Sequence, residues 1–245
     1  MDSSPRINHS RYLVPSEPLV RSSALETFHQ AVSLAKHLQP EQRYAHLQHQ
    51  LDKVSSLSAN ERADAFEDLA MMASLLSSDD ALLLTDSILD KFLRLSELAT
   101  ADQRDDDARK IAFALLSAGE LHDRDTMIKL VVKLGGVSRT LGTDHLAKLL
   151  VEEVQDHLPD TKPEVVGRRL VDAAALVPHL PAAITQSYLE MLSAHLPQDH
   201  DTQCFVLPAL LSVIEYAPGT EERLQLFLRL NQQLYRSRIE QTTAH

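Results

Sequence analysis

The stretch Ser58-Ala59-Asn60-Glu61-Arg62 is echoed forty-two residues later by Thr100-Ala101-Asp102-Gln103-Arg104. Both fit the capping box, a hydroxyl residue followed three positions on by Glu or Gln. In such a box the hydroxyl accepts from the third helical N–H, while the acid or amide reaches back to the cap's own N–H. Two helix starts are expected at one offset. The offset persists downstream, taking Leu69 to Ile111, Ala70 to Ala112, Ala73 to Leu115, Ile88 to Leu130, Leu89 to Val131 and Phe92 to Leu134. Six apolar positions thus recur across two successive helices, with polar turns at 77–80 and 122–126 between them. One such unit cannot bury its apolar stripe alone, so the chain must stack copies and let neighbours supply the core.

A helix–turn–helix unit of this length lies within the roughly 40–47 residues of HEAT and armadillo repeats. Composition points the same way. The chain has no Trp, 5 Tyr, 6 Phe and 6 Gly. It is rich in Leu and Ala, which favour helices, and poor in the aromatic residues that strands prefer. The reading is all-α: stacked helical hairpins, a HEAT/armadillo-like α-solenoid or superhelical bundle of about nine or ten helices. Residues 1–22, with five Ser and three Pro, read as a flexible leader. Residues 23–238 read as the repeat domain, with a polar C-terminal helix as its cap, and 239–245 as a flexible tail. Pro40-Glu41-Gln42-Arg43 and Thr220-Glu221-Glu222-Arg223 repeat the acid-then-Arg start without the full box. Gly135-Gly136 are expected to end one helix, and Gly142 to precede a new start at Thr143 or Asp144.

The net charge is −11, from 35 acids and 24 bases, and no Lys/Arg stripe opposes it, so nucleic acid is not an expected partner. No apolar run approaches the roughly 18 residues of a membrane span, and the N-terminus lacks the apolar region of a Sec-type signal. The lone Cys204 excludes an internal disulfide framework and reads as an inert thiol in a core stripe. His46 and His49 share a helix face, but nothing completes a closed metal site around them. Asp105-Asp106-Asp107 sit in the first turns of a helix, where they oppose its dipole, and lack the ligand pattern of a calcium loop. His145, Glu152, Glu153 and His157 read as the charged face of a helix whose core stripe is Leu146, Leu149, Leu150 and Val154. No catalytic residue, cofactor site or metal site is assigned.

The predicted turns carry Asp79 with Asp80, Asp123 with Asp125, and Asp199 with Asp201. Stacked repeats align equivalent turns, so these acids could form a ridge facing a basic partner. Local hydrogen bonding within turns accounts for the same residues. The candidate partner-binding set is Asp79, Asp80, Asp123, Asp125, His145, Glu152 and Glu153.

The Ser-rich leader followed by helices starting Pro40-Arg43, Ala59-Arg62, Ala101-Arg104 and Thr220-Arg223 resembles the HEAT/armadillo-like type III secreted effectors of Gram-negative plant pathogens, of Xanthomonas and Ralstonia type. The resemblance implies secretion into a host cell and binding of a host protein of defence signalling or secretion, without catalysis. Alternatives are an intracellular bacterial scaffold, chaperone or regulator, and an enzyme with an unrecognised site near residues 143–157.

Overall fold

A computed structural model describes residues 23–97, 99–141 and 144–243. The expected leader, residues 1–22, lies outside the described residues. Among those described there are eleven α-helices and no strand. The helices are α1 (Ser23–Ser33), α2 (Pro40–Lys53), α3 (Ala59–Met72), α4 (Ser78–Leu95), α5 (Ala101–Gly119) and α6 (Arg124–Leu141), followed by α7 (Asp144–His157), α8 (Pro163–Ala174), α9 (Ala182–Ala194), α10 (His200–Val213) and α11 (Thr220–Thr243). The fold is all-α, with more helices than the nine or ten expected. The tail expected at 239–245 is helical as far as Thr243.

The helices stack in two layers. Even-numbered helices form one continuous row, each packed on its even predecessor from α2 to α10. The odd row runs α1–α3–α5 and then α7–α9–α11, with α7 set chiefly against α6. The forty-two-residue register explains the row: all twelve of its positions, from Leu69 and Ile111 to Phe92 and Leu134, are buried. Equivalent positions of successive repeats face one shared core, where burial of a Leu or Ile is worth about 1.5–3 kcal/mol each.

Five helices (α1, α2, α3, α8 and α10) tighten into a 3-10 turn before the chain extends. The N–H of Leu38, Leu57, Leu76, Leu180 and Ala217 closes these turns on the carbonyl three residues back. At three of the five, the arginine of the next helix start completes the junction. Arg43 and Arg62 donate from Nε to the carbonyls of Leu38 and Leu57, each at 3.2 Å, and Arg223 donates to Ala217 at 2.8 Å. At these three starts the arginine is thus a junction clamp that satisfies a free carbonyl of the preceding turn, a bond that Arg104 Nε does not make.

The two capping boxes differ. Glu61 accepts from the Ser58 N–H at 3.0 Å and from its hydroxyl at 2.6 Å, completing the box. Thr100 accepts from the Gln103 N–H at 3.3 Å, but the Gln103 amide turns away and donates to Asp107 at 2.7 Å. The second box is half formed because a carboxylate one turn on competes for the amide.

Gly135-Gly136 do not end a helix, since α6 runs through them to Leu141. Their role is close approach. A Cβ on Gly135 would collide with Leu176 Cδ1 and stand 3.3 Å from His179 Cβ, so glycine lets α6 seat against the turn after α8. Gly167 does the same for α8 on α10, where a Cβ would meet Thr202 at 2.5 Å. The new start at Asp144 is as expected. The C-terminal helix is not the polar cap expected, because its outward face carries exposed Leu224, Phe227, Leu228 and Tyr235.

Candidate functional site

Where α4, α6 and α8 lie side by side, their solvent faces enclose an open groove of about 600 Å³. Asp79, Leu82, Leu83 and Asp86 enter from α4, Lys129, Val132 and Lys133 from α6, and Val171 and Asp172 from α8. The local reason begins in Leu82-Leu83-Leu84. Three consecutive residues on a helix span about 200° and cannot all face one core. Leu84 is fully buried, Leu82 is half-buried, and Leu83 is left 51% exposed in the groove. The floor is therefore apolar and the charges sit around it.

Two of those charges, Asp86 and Lys133, belong to a ladder joining successive even helices. Asp52 of α2 meets Lys91 of α4 at 3.7 Å, Asp86 of α4 meets Lys133 of α6 at 2.5 Å, and Asp125 of α6 meets Arg169 of α8 at 2.5 Å. In each rung the earlier helix supplies the acid and the later one the base. The same polarity links Asp64 of α3 to Lys110 of α5 at 2.8 Å in the odd row. Asp172 stands beside the field of Lys129, yet burial, the larger influence, pushes its carboxyl above the usual carboxylate range. A partly dehydrated carboxylate on the wall of an apolar groove favours a cation that enters with its own apolar surroundings.

The acids singled out in the sequence have separate roles. Asp79 is exposed on the groove rim. Asp80 accepts from the Ser77 hydroxyl at 2.9 Å while its N–H donates to Ser77 Oγ at 3.2 Å, so it belongs to the start of α4. Asp123 starts α6: Thr126 donates to it from N–H at 2.8 Å and from its hydroxyl at 3.0 Å, and Ser78 of α4 adds a bond at 3.2 Å. Burial works to raise Asp123, but these hydrogen bonds outweigh it and hold the carboxyl below its ordinary value. Asp125 is tied to Arg169, whose side chain is 8% exposed and also reaches Asp160 at 3.3 Å and the Pro159 carbonyl at 3.2 Å. That cluster fastens the loop between α7 and α8 to the start of α6. Turn alignment does bring Ser78 and Asp123 together, but Asp80, Asp123 and Asp125 are each engaged within the chain.

The α7 residues are separated by burial. His145 and Glu152 are exposed, whereas Glu153 is 2% exposed and packs inward with Leu146, Leu150 and Val154. His157 Nδ1 lies 2.8 Å from the Glu153 carbonyl and 3.8 Å from its carboxylate. Glu153 is thus a core residue rather than part of a charged outer face. Among the described residues, no three His, Cys, Asp or Glu side chains come together in a way that could hold a metal ion. Cys204 is exposed rather than buried in a stripe, with its sulfur 3.6 Å from His200 Nε2. No helix is long and apolar enough to cross a membrane among the described residues.

Sequence reasoning passes over Leu83, Lys129, Lys133 and Asp172. The one available signal is the leucine triplet, which exceeds what a single helix face can bury. No family model, curated protein or solved structure matches the chain.

Proposed function

We propose that the chain is a non-enzymatic protein-interaction module that takes a partner's amphipathic helix in the groove across α4, α6 and α8. One observation carries the reading: the half-exposed Leu83 on an apolar floor, framed by Asp79, Asp86, Lys129, Lys133 and Asp172. Helix-in-groove recognition uses apolar anchors three and four residues apart, with charged flanks to set orientation. A Lys or Arg on the incoming helix would pair with Asp172 or Asp79.

Delivery into a host cell by type III secretion, with a host protein as the partner, rests on the resemblance of the leader and helix starts given above. We propose it on that basis. A translocation reporter fused to residues 1–50 should enter host cells and should remain in the bacterium when residues 1–22 are deleted.

The groove is tested by capture on the immobilised full chain, with host and bacterial extracts in parallel. The Leu83→Glu, Val132→Glu variant should keep its circular dichroism and lose the bound protein. Capture that survives the double variant would place recognition elsewhere. Capture from the bacterial extract alone would point to a bacterial scaffold or regulator.

A further inference from the structure

We propose that the cavity between the first halves of α3 and α5 binds a small aromatic ammonium ion, a single ring joined through a short chain to a primary amine. The cavity holds about 220 Å³. Ala63 and Phe66 line it from α3, Phe92 and Leu95 from the end of α4, Ala99 from the following loop and Asp107 from α5. An apolar cavity of about 150 Å³ takes benzene, so this one has room for a ring and roughly two or three further atoms.

The floor suits a ring. Phe66 and Phe92 meet edge to face, with centroids 6.0 Å apart and planes at 87°. A third ring extends such a pair in the same edge-to-face or offset geometry. Both phenylalanines are buried, so the site is a recess in the core rather than an outer apolar stripe.

Asp107 supplies the charge, and repeat stacking does not require it. The forty-two-residue offset takes Ala65 to Asp107. Ala65 is fully buried, and with no carboxylate at that position Glu61 reaches back to its own cap at Ser58. In the next repeat Asp107 draws Gln103 away from Thr100, accepting from its amide at Oδ1. A carboxylate has about four acceptor sites, and the neutral amide takes one of them. Lys110 lies in the field of Asp107, yet it is held by Asp64 at 2.8 Å, and Asp64 and Asp106 both oppose charge on Asp107. Arg62 also lines the cavity, but its guanidinium is turned to the carbonyls of Leu57 and Ser55 at 3.2 and 3.4 Å. Burial, the largest influence, raises the Asp107 carboxyl above its ordinary value. A carboxylate placed in this way gains most from a cation that brings its own N–H donors, whereas an anion would meet three acids.

Isothermal titration of the full chain with 2-phenylethylammonium tests this site independently of the groove on α4, α6 and α8. Saturable binding with a Kd below about 1 mM is expected. The neutral 2-phenylethanol and the anionic 3-phenylpropionate should each bind at least about tenfold more weakly, and Asp107→Asn should weaken the ammonium about tenfold with unchanged circular dichroism. Ala99→Phe, which fills the cavity from its loop side, should abolish binding. If Ala99→Phe loses helical content, Ala99→Leu replaces it with the same expectation. No saturable binding up to about 5 mM overturns the proposal, as does the alcohol or the carboxylate binding as tightly as the ammonium. Binding indifferent to Asp107→Asn overturns it too.

Discussion

The first and last helices of the array bury similar faces and expose opposite ones. Helix α1 turns Leu25, Phe28 and Val32 inward and presents Glu26, Thr27 and Gln30 to solvent. Helix α11 turns Leu226 and Leu230 inward and presents Leu224, Phe227, Leu228 and Tyr235. Repeat stacking explains the inward halves equally well at both ends, since each helix completes its neighbour's core. It explains nothing about the outward halves, which the shared register leaves free to diverge. The difference teaches that stacking and recognition are written on opposite faces of the same helices.

The strongest test of that separation lies between the two ends. Asp125→Ala leaves the buried Arg169 guanidinium without its main carboxylate and should lower stability by about 3–5 kcal/mol, read by chemical denaturation. Asp79→Ala, on the groove rim, should leave stability within about 0.5 kcal/mol. A slight effect of Asp125→Ala would mean that the buried cluster does not hold the α7–α8 loop.

The ends themselves are compared by truncation. Phe28→Ala removes an inward side chain and should cost about 3–5 kcal/mol. Leu228→Ala removes an outward one and should leave stability nearly unchanged. Equal losses would show that the outward face of α11 is packed as tightly as the inward face of α1.

Smaller effects should distinguish the helix starts. Ser58→Ala dismantles a complete box and should cost about 0.5–2 kcal/mol, with Thr100→Ala at the lower end of that range. Thermal midpoints of the two variants provide the readout, and a larger loss at Thr100 would contradict the half-formed box.

The smallest effect concerns Asp172. A carboxyl whose pKa is raised in the folded chain opposes folding while it is charged. That penalty is full at neutral pH and vanishes as pH falls below the ordinary carboxylate pKa near 3.8, where both states are protonated. Asp172→Asn should therefore raise the thermal midpoint slightly at pH 7, lose that gain toward pH 3.5, and weaken capture by the groove. A lower midpoint at pH 7 would contradict the sign.

Much of the interior was legible because periodicity reports what the core repeats. The positions from Leu69 to Leu134 could be aligned by offset alone, and burial follows from that offset. Gly135 was misread because a glycine that ends a helix and one that admits a neighbouring helix look alike until Leu176 and His179 are placed beside it. Glu153 was misread for a related reason: polarity predicted an outward face, and only packing shows α7 turned so that this carboxylate lies inward. The 3-10 turns carry no capping signature, and their arginine clamps depend on a carbonyl that the preceding turn must first expose. The outward stripe of α11 was hidden because its leucines and its core leucines share one composition, and periodicity alone cannot say which stripe has a partner.

Chemical denaturation of three proteins tests the separation of faces most directly: the wild type, Leu230→Ala on the inward face of α11, and Leu224→Ala on its outward face. The account predicts that Leu230→Ala lowers stability by about 2–5 kcal/mol and that Leu224→Ala stays within about 0.5 kcal/mol of the wild type. If the two variants lose stability equally, both faces of α11 are packed alike and the account is contradicted.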